Sequence, residues 1–330
     1  MIATLLHVLR EPRVVLGGLI LLAVAAMALF APWLAPVAPD QQDLINTLLP
    51  PAWAAGGMAS HFLGTDSLGR DILSLTIYGA RVAMFVGCVA PIGAALVGGT
   101  LALLAGWRGG RTDWVVMRIV ETWMSFPAVV LALILMVALS PSIINVVIAL
   151  VFVDWTRFCR VLRAEVAVIR RREYVAAARI AGAGTFRTIA HDVLPNMMPT
   201  LITLMSLEIG IAVVAECSLS FVGLSAQPGT PTWGSMIADG LANVFTTPWG
   251  LIAPITCIVV TVLATTLLGE GLRRATDARL LVRGTNRGNG RGGKTDGTRP
   301  VYAVAESTSH EARPSRKARA PTPAREEAAR

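Results

Sequence analysis

The chain contains 330 residues, of which 54% are hydrophobic and only 15% are charged. A soluble globular protein usually has about a quarter of its residues charged, so this composition argues against a soluble enzyme. The mean hydropathy of +0.61 also argues against disorder over most of the length. The net charge of +8 is uneven, because residues 283–330 contribute +6 of it. The remaining body is nearly neutral, and a nucleic-acid-binding surface is therefore not indicated.

Long apolar runs dominate the sequence. A bilayer core about 30 Å thick requires roughly 20 apolar helical residues to cross it, so the runs predict an all-α integral membrane protein with six spanning helices. The first run is longer than the apolar core of a signal peptide, and we therefore expect it to be a retained helix. The predicted spans are 14–31, 82–107, 119–139, 142–155, 199–215 and 249–268.

Arginines are distributed unequally between the segments that join these spans. With the N-terminus inside, the inner segments ahead of the C-terminal tail carry sixteen arginines, whereas the outer segments carry only Arg70 and Arg81. Basic residues are enriched in the cytoplasmic loops of membrane proteins. We therefore expect both termini to be cytoplasmic.

The inner segment 157–192 holds eight of these arginines and is too polar to cross the membrane. Apolar residues recur in it at helical spacing, and Ala176-Ala177-Ala178 is a strong helix-forming run with little side-chain bulk. Gly182 is the expected C-terminal stop, and a second short helix is expected from Thr185 to Asp192. Such a basic helix with an apolar face either lies on the anionic inner leaflet or docks into a groove on a cytoplasmic partner.

Four separated motifs resemble those of one protein family. The stretch from Glu173 to Gly182, followed by Asp192-Val193-Leu194-Pro195-Asn196, resembles the cytoplasmic coupling loop of ABC-importer permeases. The segments 61–74, 216–224 with 231–236, and 268–274 are similar to motifs of one branch, the C-type permease subunit of dipeptide, oligopeptide and nickel importers. The resemblance covers about residues 1–282. The chain departs from the family at Ala176, where glutamate is usual, and at Asp192, where an apolar residue is usual.

The resemblance implies the membrane subunit of a type I ABC importer in a bacterial plasma membrane. It implies an N-terminal part with the first span and an outer loop (1–81), and a permease core (82–282). The implied partners are a homologous permease subunit in a heterodimer, two cytoplasmic ATP-binding subunits, an extracytoplasmic substrate-binding protein and membrane lipids. The implied cargo is di- or oligopeptide, with nickel or another small solute as the alternative. The residues implied in ATPase coupling are Glu173, Tyr174, Ala177, Ala178, Arg179, Gly182, Pro195 and Asn196.

The outer motif and one intramembrane acid are further candidate functional positions. In the motif, glycines permit tight turns and charged residues can form a local ion-pair network; it either braces the first two spans or contacts the ligand. Glu208 lies in the fifth predicted span without a basic residue in that span, so it either lines the translocation route or makes a structural hydrogen bond. The motif residues are Gly64, Thr65, Asp66, Gly69, Arg70 and Asp71.

Some local contacts are also expected from the sequence. Asp154 is expected to form an ion pair with the nearby Arg157 or Arg160, and Glu121 can pair with Arg118 three positions before it. The outer segment is expected to be ordered, since it contains prolines and since tryptophan favours the membrane interface. The residues concerned are Pro228, Pro231, Trp233 and Trp249.

No residue pattern indicates catalysis, a cofactor or a metal. Residues 288–295 fit the G-x-x-x-x-G-K-T pattern but lack the strand and helix that a phosphate-binding loop requires. The four histidines lack metal-ligand spacing. The basic tail, 283–330, is expected to be disordered. The rival interpretation is a secondary transporter without ATPases, for which inverted repeats are typical, and we see no internal repeat in the sequence.

Overall fold

The computed structural model describes residues 11–288, with side-chain surroundings for residues 11–275. Within these limits all regular secondary structure is helical apart from one isolated bridge between Thr65 and Asp71, which confirms the all-α class. A π-helical segment, Ile189–Val193, joins the short helix Thr185–Thr188 to the long helix that begins at Leu194. The helices are α1 (Pro12–Leu29), α2 (Ala31–Leu34), α3 (Ile72–Arg108), α4 (Gly110–Met124), α5 (Ala128–Leu139), α6 (Ile143–Arg170), α7 (Glu173–Ile180), α8 (Thr185–Thr188), α9 (Leu194–Phe221), α10 (Trp233–Ala242) and α11 (Trp249–Gly288).

Four helical stretches are long and apolar enough to cross a membrane, and the bent pair α4 and α5 gives a fifth if it is counted as one span. The predicted number of six is therefore larger than the four or five that the described residues support. The remaining prediction, 142–155, is the apolar first half of α6, whose second half carries arginines and ends at Arg170. The four stretches are Pro12–Leu29, Ile72–Arg108, Thr185–Phe221 and Trp249–Ala275.

The prediction of one continuous helix over 119–139 is wrong. Helices α4 and α5 are bent by 84° at the break between Met124 and Ala128. Pro127 supplies the physical reason, because it has no N–H for a helical hydrogen bond and disfavours helical backbone at Phe126 before it.

Helix α3 begins well before the apolar run that predicted it. The side chain of Asp71 accepts a hydrogen bond from the main-chain N–H of Ser74 at 2.7 Å and so caps the first turn. A cap of this kind stabilises a helix by about 1 kcal/mol. The cap therefore allows the polar start of α3 to be helical.

Helices α3 and α6 make the most extensive contact in the bundle. Gly98 lies so close to the backbone of Trp155 that a Cβ would overlap its carbonyl oxygen, and small residues permit such approach in membranes. The helices run parallel, since Gly93 faces Val151 and Gly106 faces Val166. The α7 segment consequently lies at the C-terminal end of α3, opposite the loop of residues 35–71.

The last helix continues through Gly288. The first six residues of the tail that was predicted to be disordered are therefore helical. The rest of the tail, 289–330, lies outside the described residues, as does nearly all of the phosphate-loop-like segment.

Candidate functional site

Helix α7 is short and largely exposed. Val175 is its fully buried residue, whereas Tyr174 and Ala177 are exposed. Two apolar side chains at this end of the bundle are almost completely exposed, Ile180 at 88% and Phe186 at 86%. Exposed apolar groups of this size are typical of interaction surfaces. The segment thus has the form of a docking element.

The helical periodicity over 166–180 is interrupted in the structure. Val166 and Ile169 are buried in α6, and the chain breaks between α6 and α7 at Arg171 and Arg172. The predicted apolar face is therefore divided between two helices. The first half packs into the bundle and the second half is mostly exposed.

Gly182 ends α7 as predicted. Its backbone has φ +83°, a left-handed conformation that favours glycine. The N–H of Gly182 donates to the carbonyl of Arg179 at 3.1 Å, and the N–H of Ala183 donates to that of Ala178 at 3.0 Å. This pair of bonds is a Schellman motif. A Cβ added at Gly182 would meet no atom within 4 Å, so a side chain at this position would have free space around it.

The second short helix expected after Gly182 is present as α8, and it continues without a break into α9. Pro195 lies in the first turn of α9 and lacks the N–H that an α-helical turn there would use. The π-helical segment accommodates this loss. The amide nitrogen of Asn196 donates to the main-chain oxygen of Asp192 at 2.6 Å, which fixes the junction.

Two polar residues of α7 have interactions that bear on the predicted coupling role. The guanidinium of Arg179 lies 5.8 Å from the centroid of the Trp107 ring, at the end of α3, in a cation–π contact. Partial burial raises the pKa of the Tyr174 hydroxyl above its ordinary value. Helix α7 is thus fastened to α3 by Arg179, and the short segment 181–184 connects it to the continuous stretch of α8, the π-helical segment and α9.

At the opposite end of the bundle, the predicted ion pair of the outer motif is confirmed. The Nε of Arg70 donates to the Asp66 carboxylate at 2.7 Å, and the other oxygen of that carboxylate accepts the N–H groups of Arg70 and Leu68. Arg70 also lies 3.5 Å from Asp239 of α10. Burial raises the pKa of Asp239, and the charge of Arg70 opposes that rise. The motif therefore joins the 35–71 loop to α10.

Asp71 does not join this ion-pair network, which corrects the prediction. It is buried, accepts two hydrogen bonds from Ser74 at the start of α3, and lies 3.2 Å from the Nδ1 of His61. Its carboxylate is occupied by helix capping. Because both of its oxygens are engaged by Ser74 and His61, Asp71 does not extend the Asp66–Arg70 pair.

The remaining motif residues hold the 35–71 loop in a folded shape. The Thr65 hydroxyl accepts from the N–H of Leu49 at 2.9 Å and donates to the carbonyl of Asn46 at 2.6 Å. Gly64 and Gly69 have φ of +85° and +69°, as expected for tight turns. These contacts fold the loop against the start of α3, as a brace between the first two spans would require.

Trp233, expected in an ordered outer segment, is buried inside the protein and is not exposed at its surface. The side chain is fully buried, and its Nε1 donates to the main-chain oxygen of Thr76 at 3.0 Å. A buried indole requires such a partner. Trp249 was interpreted in the same way; its ring packs edge to face against Trp53, with centroids 5.5 Å apart.

Glu208 has a basic partner from another helix. One terminal nitrogen of Arg157, in α6, donates to both Glu208 oxygens at 3.0 and 2.8 Å. The other terminal nitrogen lies 3.9 Å from Asp154. The side chains of Glu208 and Asp154 are 3% and 10% exposed, whereas that of Arg157 is 39% exposed. We call these three residues the charge cluster.

Sequence reasoning paired Asp154 with Arg157 but missed the bond from Arg157 to Glu208. The two residues are distant in sequence, and their approach depends on how α6 packs against α9. The same reason explains a second missed pair, in which Arg163 and Asp113 form two hydrogen bonds between α6 and α4. By contrast, the pair of Arg118 and Glu121 within one helix was predicted and is present at 3.1 Å.

Glu216 is a further buried acid that the sequence did not single out. It is completely buried, and it accepts a hydrogen bond from the hydroxyl of Ser225 at 2.8 Å. Its only sequence signal was its place at the start of the motif 216–224. Among the described residues, no three His, Cys, Asp or Glu side chains come together in a group that could hold a metal ion.

An all-helical body with several apolar spans, buried charges between them and an exposed helix at one end defines a multi-pass membrane transport subunit. A profile described as "Binding-protein-dependent transport system inner membrane component" matches residues 98–282. A second, described as "N-terminal TM domain of oligopeptide transport permease C", matches residues 6–51. The chain belongs to the family of binding-protein-dependent inner-membrane components, which confirms the predicted ABC-importer permease. It is the non-catalytic membrane subunit, and ATP hydrolysis belongs to a separate subunit.

Curated relatives resemble the chain over most of its length. It is 40% identical over 266 residues to the di/tripeptide transport system permease protein DppC of Pseudomonas aeruginosa, covering 80% of this chain and 88% of the relative. It is 41% identical over 271 residues to the dipeptide transport system permease protein DppC of Escherichia coli K12, with coverage of 82% and 90%. The Bacillus subtilis dipeptide permease is 38% identical over 274 residues, with coverage of 82% and 84%.

Proposed function

We propose that this chain is the permease subunit of an ATP-driven importer of di- and oligopeptides. The relatives named above are dipeptide or di/tripeptide permeases, which supports a peptide cargo. In the proposed assembly, a homologous permease completes the pathway, two cytoplasmic ATP-binding subunits supply the energy, and an extracytoplasmic binding protein delivers the peptide.

The observation that carries the proposal is the mechanical connection of α7. This helix is exposed and ended by Gly182. Its Arg179 contacts Trp107 at the end of α3, and residues 181–184 connect it to the continuous helical stretch that becomes the spanning helix α9. A displacement of α7 by a partner is therefore transmitted to the membrane-spanning part. The proposed ATPase contact is formed by Glu173, Tyr174, Ala177, Ala178, Arg179 and Gly182, with Pro195 and Asn196 holding the junction.

The proposed orientation places both termini and α7 in the cytoplasm, in agreement with the arginine distribution. The 35–71 loop and α10 then lie on the outer side. There, Gly64, Thr65, Asp66, Gly69, Arg70 and Asp71 act as a brace. Glu208, within the charge cluster, is proposed to lie on the translocation route.

Uptake measurements test this proposal. Cells lacking their own peptide importers should accumulate a radiolabelled dipeptide when they express the chain with its partner subunits, and uptake should stop when the ATPase subunits cannot hydrolyse ATP. Accumulation of nickel without peptide uptake would assign the alternative cargo. Peptide transport into liposomes by the purified chain alone would instead indicate a secondary transporter.

A further inference from the structure

A cavity of about 450 Å³ adjoins the charge cluster. It lies between α5, α6, α9 and α11 and has a mainly apolar lining that includes Ala128, Leu150, Ile211 and Val214. Asp154 and Arg157 are the charged residues that line it. The cavity thus presents one acid and one base in an otherwise apolar wall.

The hydrogen bonds of Arg157 leave part of its guanidinium available. A guanidinium carries five N–H donors, and within the described part of the chain Arg157 uses a single terminal nitrogen, on Glu208. Its other terminal nitrogen is 3.9 Å from Asp154, which is too long for a hydrogen bond. The side chain is 39% exposed and lines the cavity, so its spare donors are accessible from there.

The carboxylate of Asp154 likewise has hydrogen-bonding capacity that the described residues leave unfilled. Among the described residues it accepts no side-chain or backbone hydrogen bond, and its contact at 3.9 Å is to Arg157 alone. No side-chain oxygen or nitrogen there is sealed from solvent without a partner, so the carboxylate has access to the cavity. Asp154 and Arg157 are three positions apart on one helix, which places them on the same face with Cβ atoms about 5–6 Å apart.

The position of the cluster points to a role beyond holding α6 and α9 together. Glu208 lies near the middle of α9, whereas Asp154 and Arg157 lie where the apolar first half of α6 meets its arginine-bearing second half. Ionisable groups within spanning helices are costly and often mark substrate pathways. An ion pair that only joined α6 to α9 would need no more than Arg157 and Glu208. Asp154 adds a second acid, which leaves the cluster with an excess negative charge when both acids are ionised.

We infer that this cavity is a transit site for a zwitterionic short peptide, an inference that rests on the proposed peptide cargo. The terminal carboxylate of the peptide accepts hydrogen bonds from the spare N–H groups of Arg157, and its terminal ammonium pairs with Asp154. Glu208 is a positioning residue that holds the guanidinium in place. The apolar lining receives peptide side chains without specific polar contacts, so recognition concerns the termini.

Photolabelling of the complete transporter in lipid nanodiscs, without the binding protein, tests this inference. The probe is a dipeptide with free termini and a diazirine-bearing leucine analogue. Mass spectrometry should place the label on cavity residues such as Leu150, Ile211 or Val214. An unlabelled dipeptide should compete, whereas its N-acetylated and C-amidated analogues should compete about tenfold less well, as expected for loss of a charge-assisted contact.

Three variants separate binding from structure. Arg157→Lys keeps a cation for Glu208 but lacks the second nitrogen, and Asp154→Asn removes the ammonium partner; each should reduce labelling about tenfold. Arg118→Gln, which alters an exposed ion pair elsewhere, is the control and should label normally. Assembly is verified by co-purification of the partner subunits, and if a variant fails to assemble, the analogues tested on the unaltered protein decide the question.

The inference is overturned if the label falls outside the cavity, if the blocked analogues compete as well as the free dipeptide, or if assembled Arg157→Lys and Asp154→Asn label normally. Dipeptide uptake by cells with the unaltered transporter is measured in parallel. Absence of uptake contradicts the proposed function, whereas uptake combined with any of these three labelling results contradicts the transit site alone.

Discussion

Trp233 and Thr76 are joined in the interior of the protein by a hydrogen bond of 3.0 Å from the indole nitrogen to the main-chain oxygen. This bond connects α10 to the first turns of α3. Trp233 also packs against Gly79, where even a Cβ would crowd the indole ring. The short helix α10 is therefore anchored to the bundle by one large side chain.

Replacing Trp233 should destabilise the protein in a graded manner. Trp233→Phe retains a ring but loses the hydrogen bond, at a cost of about 1 kcal/mol. Trp233→Ala also leaves a cavity and should cost about 3–5 kcal/mol. Thermal unfolding of the purified protein measures both. Trp114→Phe is the matched control, because Trp114 is 64% exposed and its replacement should change the melting temperature little.

A bulky residue at Ala177 should uncouple transport without disturbing the fold. Ala177 is exposed on α7, so Ala177→Trp has room in the isolated chain but would obstruct a partner surface. We expect peptide uptake to fall by at least about tenfold, a loss of roughly 1.4 kcal/mol of coupling or binding energy. Ala177→Ser, which adds a single atom, should transport normally. Equal uptake by Ala177→Trp would remove α7 from the proposed ATPase contact.

Substitutions at Gly182 can distinguish two reasons for a glycine at this position. One is the left-handed backbone conformation, and the other is the need for a small residue where a partner docks. Asparagine tolerates the left-handed conformation and valine does not. Gly182→Asn should therefore preserve the stop, whereas Gly182→Val should cost about 1–2 kcal/mol locally and reduce uptake. Hydrogen exchange of residues 173–183 reports the local effect. If both variants lose uptake while exchange is unchanged in Gly182→Asn, a crowded contact, and not strain, is the cause.

The Arg157–Glu208 pair should behave as a coupled unit in stability measurements. Arg157→Gln leaves the buried Glu208 carboxylate without its cation, which should cost about 3–5 kcal/mol. Adding Glu208→Gln removes the unpaired charge and should recover most of this loss. A double-mutant cycle from thermal unfolding gives the coupling energy. A purely additive result would show that the two side chains do not interact in solution.

The Asp66 side chain should control the order of the 35–71 loop. Asp66 accepts two main-chain N–H groups and one guanidinium N–H, and Asp66→Ala leaves these donors without a partner. A local loss of about 1–3 kcal/mol is expected. Limited proteolysis of the loop measures it, and the exposed Asp40→Ala serves as the control. Unchanged cleavage in Asp66→Ala would show that other contacts maintain the loop.

Features encoded by neighbouring residues were predictable from the sequence. Gly182 follows an alanine-rich run, and a glycine after a helical run favours the observed stop. The Asp66–Arg70 pair joins residues only four positions apart, so a single turn of the chain brings their side chains together. The family resemblance depended in the same way on contiguous motifs, and the comparisons confirm it.

Features that depend on packing between distant segments were not predictable. The partner of Glu208 comes from α6, so inspection of the fifth span alone could not find it. Trp233 was interpreted from the average preference of tryptophan for membrane interfaces, whereas close packing against Gly79 buries it. The break in the third predicted span was also missed because its hydropathy is high on both sides of Pro127, and hydropathy does not report the backbone effect of proline.

Helix α3 extends from Asp71, which anchors the loop at one end of the bundle, to Trp107, which receives Arg179 of α7 at the other. Its 37 residues span about 55 Å at a rise of 1.5 Å per residue. A pivot at one end by as little as ~5° would swing the other by roughly 5 Å over that length. A small rotation of α3 at the α7 end of the bundle can thus displace its other end by several ångströms. Such a displacement is large enough to open or close a passage for a dipeptide.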